Sequence, residues 1–168
     1  YILEAKTEII AEVEMDMVNS KYTFKQNEIT LNKLGFGIDG FVAMPAEDID
    51  MDLKFDVKQN DFKTFMSMIP GVYREGFDNV QSSGKLAFNG FVKGKYSETT
   101  MPGFGVTLKI ENGMFKYPDL PTAMNNVQVD LNIANPDGVP DNTVINLKKL
   151  HVEMDKEPFD ARVIVKTP

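Results

Sequence analysis

Few residues in this chain have side chains able to do covalent chemistry. Cysteine is absent, which excludes thiolate nucleophiles, thiolate metal ligands and disulfides together. There is one histidine, His151, so any relay or metal site that needs two imidazoles is excluded. His151 stands between Leu150 and Val152, at an outward position of an alternating run. A triad built on it needs a serine in a strained turn, and no Gly-x-Ser-x-Gly occurs. Glycoside hydrolysis needs two facing carboxylates, one of them desolvated. In the clear alternating runs no carboxylate falls on an apolar position, and Glu47, Asp48, Asp50 and Asp52 read as a solvated acidic face. Asp137-Gly138 with Asp141-Asn142 gathers oxygen ligands in one loop, but the spacing fits no EF-hand, and Pro136 and Pro140 make it a rigid turn. The expectation is a non-enzyme with no catalytic residue, no metal and no cofactor.

Composition narrows the partners. The 168 residues carry 18 Lys+Arg against 25 Asp+Glu, a net charge of −7. Nucleic-acid binders need a basic footprint, and here Lys54, Lys58 and Lys63 are interleaved with Asp52, Asp56 and Asp61. Tryptophan is absent, which removes a tryptophan-lined sugar platform. No apolar run approaches the ~20 residues of a spanning helix. The chain opens at Tyr1 without Met or a signal segment, so it reads as a single β-rich domain, 1–168, excised from something longer, with any membrane anchor outside it.

The elements that position these residues are strands. In residues 4–18, Ala5, Thr7, Ile9, Ala11, Val13, Met15 and Met17 alternate with acids and Lys6, Ile10 being the exception, a period of two with one wet and one dry face. Asn19-Ser20 reads as a turn, Asn27 as the end of the next strand, and Asn32-Lys33 as a bulge. Ile49, Met51, Leu53, Phe55 and Val57 form the cleanest dry face. Further alternating runs lie near 86–96, 104–110, 127–133, 145–154 and 161–165. Asn112-Gly113 predicts a type I′ hairpin turn. One segment changes period: from Asp61 as N-cap, Phe62, Phe65, Met66 and Ile69 predict a short α-helix over 61–69 packed on the sheet and stopped by Pro70-Gly71. Ile29-Thr-Leu-Asn-Lys-Leu34 resembles Ile145-Asn-Leu-Lys-Lys-Leu150, and Lys33-Leu-Gly-Phe36 resembles Lys85-Leu-Ala-Phe88, which raises sub-repeats 1–60 and 84–168. The fold class is mainly β: a long, mostly antiparallel curved sheet, groove-like or sandwich-like.

Ten methionines are many for this length. Long one-sided strands must cover their dry face with another layer or with a ligand, and flexible thioethers suit variable apolar ligands. Met15, Met17, Met51, Leu53 and Phe55 are the residues expected to line such a groove; a sealed core uses the same residues. The rival architecture is a β-sandwich module that recognises a protein or glycan through its loops.

From Asp61 onward, the run Asn112-Gly-Met-Phe-Lys-Tyr-Pro-Asp-Leu-Pro121 and the phrases around it resemble the AsmA family of bacterial envelope proteins in its Bacteroidetes form. Phe115-Lys-Tyr-Pro-Asp-Leu-Pro121 carries the likeness most specifically, in Phe115, Tyr117, Pro118, Leu120 and Pro121. Asp61–Tyr73, Ser83–Gly94, Asn126-Val-Gln-Val129 and Asn135-Pro-Asp-Gly138 extend it over about two thirds of the chain. The resemblance implies a fragment of a periplasmic protein anchored in the inner membrane by a segment absent here. It also implies a role in outer-membrane biogenesis, with phospholipid or another envelope lipid as ligand and the remainder of the parent chain as partner. The family is similar to the TamB-like bridge proteins, whose long sheets form an apolar groove, and it supplies no catalytic motif.

Overall fold

The computed structural model describes residues 7–31, 34–61, 80–118 and 121–166. They form nine strands: β1 (Thr7–Asp16), β2 (Lys21–Leu31), β3 (Leu34–Ala43), β4 (Ile49–Asp61), β5 (Gln81–Tyr96), β6 (Gly103–Lys116), β7 (Met124–Asn135), β8 (Val144–Met154) and β9 (Glu157–Lys166). All nine belong to one sheet in chain order, each antiparallel to the next. Among the described residues the one helical segment is a 3-10 turn at Pro140–Asn142. Extensive contacts join only consecutive strands, so no second sheet packs on the first and a sandwich is not formed among these residues. Among the described residues β1 and β9 are the two edges.

The alternation dictates this arrangement. Directly opposite residues of an antiparallel pair share a face, so register carries the dry side of one strand onto the next. Met51 and Leu53 of β4 stand opposite Val42 and Gly40 of β3 on one side and Gly94 and Val92 of β5 on the other. The polar residues between them fill the opposite face, where Asp52 meets Phe41 and Lys93.

Two turn signals resolve differently from the sequence expectation, and a third lies outside the described residues. Asn112-Gly113 does not make a hairpin: β6 runs through it, and Met114 and Phe115 go on pairing with Ser83 and Ser82 of β5. Positive φ falls on Asn112 (51°) and not on Gly113, which is a bulge rather than a type I′ turn. The partner strand follows because it has Gly84 at this point, with φ 116°; a Cβ there would lie 2.7 Å from the Gly113 Cα. Asn27 does not end its strand either. It sits in a β2 bulge, 5% exposed, where its side-chain Oδ1 accepts the Glu12 N–H at 2.5 Å and so satisfies the interrupted ladder. Asn32 and Lys33, read as a bulge, lie outside the described residues; Leu31 and Leu34 on either side of them pair with each other across β2 and β3.

β1 stops at Asp16, whose carboxylate accepts the N–H groups of Val18 (3.0 Å) and Asn19 (3.1 Å). That turn takes in Met17, so Met17 leaves the strand expected to carry it. Between β7 and β8, Asn135 is 1% exposed and builds the loop from inside. Its Nδ2 donates to the Val139 carbonyl (2.7 Å) and Thr143 Oγ1 (2.9 Å), and its Oδ1 accepts the Gly138 N–H (2.6 Å). The loop's Asp137 carboxylate accepts the Val139 N–H and the Asn142 amide.

Among the described residues Val57, Leu86, Ile110 and Val127, one on each of β4 to β7, are the hydrophobic residues below a tenth exposed, and Leu86 and Ile110 pack with Phe88, Leu108, Phe115 and Val129. Asp61, the expected N-cap, is the last residue of β4, opposite Lys85. Phe62, Phe65, Met66 and Ile69 of the predicted helix lie outside the described residues.

Candidate functional site

One row of side chains crosses the whole sheet on the apolar face. Ile9 stands opposite Ile29, Ile29 opposite Phe36, Phe36 opposite Val57, and Val57 opposite Phe88. Phe88 stands opposite Leu108, Leu108 opposite Leu131, Leu131 opposite Leu147, and Leu147 opposite Val163. Every strand contributes one residue and none is polar. At ~4.8 Å per strand, eight intervals make a track of about 38 Å. Its ends are open, Ile9 at 62% and Val163 at 47% exposure; Val57 near the middle is buried and the other six are half-buried.

A parallel row reinforces it on one side: Ile38, Phe55, Gly90, Val106, Ile133, Ile145 and Val165 pair in succession. Gly90 breaks this row for a packing reason. A Cβ there would come 2.6 Å from the Phe55 ring, which instead tilts toward Phe88 with centroids 5.7 Å apart. The glycine thus makes room for an aromatic pair in the floor of the face.

The expected groove residues divide. Met51, Leu53 and Phe55 lie together on this face and are half-buried. Met15 lies on the same face at the β1 edge, opposite Tyr22, and is 64% exposed. Met17 lies in the turn after β1, 74% exposed and away from the row. Of the motif residues, Phe115 is on the apolar face opposite Met124, Tyr117 and Pro118 lead out of β6, Pro121 follows, and Leu120 lies outside the described residues. Sequence reasoning missed the row itself. Each member was legible as a dry position, but which dry positions align depends on bulges in β2, β4 and β8 that shift the register.

The opposite face is polar and carries the ionic contacts. Lys93 Nζ lies 2.7 Å from Asp52, Lys95 Nζ 2.9 Å from Asp48, and Lys25 pairs with Glu14. The carboxylates beside them hold Lys25 and Lys95 above the usual ammonium value, and the Asn19 hydrogen bonds hold Asp16 below the usual carboxylate value. His151 is on this face, between Asp160 of β9 and Glu153 of its own strand, and those two hydrogen bonds raise its pKa. Among the described residues no three His, Asp or Glu side chains are placed to share a metal ion, and no helix is long and apolar enough to cross a membrane. No family model, no curated protein and no solved structure matches the chain.

Proposed function

We propose that this chain is a non-catalytic, AsmA-like segment of the bacterial periplasm that holds or conducts lipid along the apolar face of its sheet, in support of outer-membrane biogenesis. The observation that carries the reading is the nine-residue apolar row, open at both edges, on a sheet with no second layer among the described residues. A continuous apolar row that is half-buried along most of its length and exposed at both ends leaves apolar area for an occupant to cover. An acyl chain suits it: each CH₂ moved from water is worth ~0.8 kcal/mol, and a half-open track recovers part of that, enough to hold a chain without trapping it. No residue has to react. Partner segments of the parent chain would continue the track where β1 and β9, the edge strands among the described residues, leave it.

The experiment is capture of a fluorescent phospholipid by the full parent chain and by its Leu53→Glu variant. Leu53 is half-buried on the apolar face beside Gly40 and Val92. The expected result is a folded variant with capture reduced at least tenfold. Equal capture by both proteins, or no capture by the unmodified chain, overturns the reading.

A further inference from the structure

The polar face carries a site of its own. We propose that β4–β8 bind an extended, uncharged oligosaccharide lying across the strands, on the side of the sheet opposite the apolar row and independently of it.

Two adjacent rows make the site. In one, Asn89 of β5 stands opposite Thr107 of β6, Thr107 opposite Asn132 of β7, and Asn132 opposite Asn146 of β8. In the other, Phe91 stands opposite Gly105 and Gly105 opposite Ala134. Gly105 and Ala134 have almost no side chain, so the surface sinks beside Phe91. The resulting depression, about 470 Å³, is lined by Asn89, Phe91, Thr107 and Asn132 with Lys54 at one end. The Phe91 ring lies over the Gly105 backbone and remains 41% exposed. Phe41, on the same face, is already occupied, with the Lys21 ammonium 4.1 Å from its ring centre.

These groups match the two surfaces of a sugar ring. The ring's C–H face is apolar and flat, and an exposed aromatic ring takes it. Its rim is hydroxyls, each both donor and acceptor, and the amides and hydroxyl of Asn89, Thr107, Asn132 and Asn146 have both capacities. Asn132 is fixed in place, its Nδ2 donating to Thr107 Oγ1 (3.2 Å) and the Val106 carbonyl (3.4 Å). These four positions span neighbouring strands ~4.8 Å apart, close to one sugar unit of an extended chain, so each unit meets one polar side chain. Other polymers fit less well. Asp39 and Asp56 at the border of the depression repel polyanions. A peptide strand adds at a sheet edge, whereas β5–β7 are interior strands with both neighbours in place.

The test is NMR titration of the full ¹⁵N-labelled chain with cellotetraose, using maltotetraose, which curls, as the shape control. The side-chain amide signals of Asn89, Asn132 and Asn146 should shift together, with a Kd of about 1 mM. Phe91→Ala should weaken binding about tenfold through loss of the stacking surface. Asn89→Ala, at an exposed position where folding is not at stake, should weaken it as well. Absence of shifts at about 10 mM cellotetraose overturns the proposal. So do shifts that Asn89→Ala leaves unchanged, and equal shifts with maltotetraose overturn the extended-chain geometry.

Discussion

His151 of β8 holds Asp160 of the edge strand β9, with Nδ1 2.8 Å from Oδ1. The other nitrogen, Nε2, faces Asn126 of β7 at 3.2 Å and Glu153 of β8 at 3.3 Å. A neutral ring can accept from the Asn126 amide there, whereas a protonated ring donates to Glu153. Asn126 also donates to Glu153 (2.8 Å) and accepts from Gln128 (3.0 Å), so the cluster ties β7 and β8 together as well as β8 to β9.

The pH dependence follows from these contacts. Asp160 first and Glu153 second raise the His151 pKa above 6.5, so the stabilisation is fully present below 6.5 and is lost as pH rises through the folded value. Asn126 and then His151 lower the Glu153 pKa below 4.5, so its share is present above 4.5 and is lost as pH falls through the folded value. Hydrogen-exchange protection of β9, corrected for intrinsic rates, should therefore be greatest between pH 4.5 and 6.5 and weaker at pH 8. His151→Gln should flatten the change above pH 6. Because this is the only histidine, its imidazole signal gives the midpoint directly, and a midpoint at or below 6.5 would refute the clasp.

Burial sets a second expectation. Leu86 is 1% exposed and packs on Ile110, so Leu86→Ala should cost ~2–5 kcal/mol in a denaturant titration. Met15→Ala, at 64% exposure on the β1 edge, should change stability by less than ~0.5 kcal/mol. Similar losses in the two variants would mean that the apolar face is covered along its whole length.

The bulge between β5 and β6 supplies a third. Gly84→Ala places a Cβ 2.7 Å from the Gly113 Cα in a backbone with φ 116°, and should destabilise by at least ~1–3 kcal/mol. Asn112→Gly keeps φ 51° accessible and removes only a side chain at an exposed site, so it should stay within ~1 kcal/mol of the parent. Thermal melts that rank the two variants in the reverse order would contradict the bulge geometry.

Much of this fold was legible from parity alone. Ile49 to Val57 alternate without a fault, and the strand is where the alternation put it. The errors came where one residue does two jobs. Asn112-Gly113 has hairpin chemistry, yet the residues after it pair with β5 because Gly84 opposite lets the backbones approach. Asn27 has strand-ending chemistry, yet its side chain replaces the missing ladder bond to Glu12. Met17 has the right parity, but the Asp16 carboxylate turns the chain before it. Whether the dry face meets a second layer was not legible at all. Alternation records that one side of a strand is apolar, not what lies against it, and the polar row from Asn89 to Asn146 depends on cross-strand register that no local pattern encodes.

If lipid occupies one face of the sheet, adjacent residues of opposite parity must differ in their contact with it. Leu131 and Asn132 are neighbours on β7; Leu131 pairs with Leu108 and Leu147 in the apolar row, and Asn132 pairs with Thr107 and Asn146 on the other side. A photo-crosslinking amino acid placed at each position in turn, in the full chain incubated with phospholipid vesicles, should yield lipid adducts from position 131 and none from 132. The same contrast should recur at Phe88 against Asn89. Adducts of equal yield from both positions of each pair, or adducts from neither, would contradict the account.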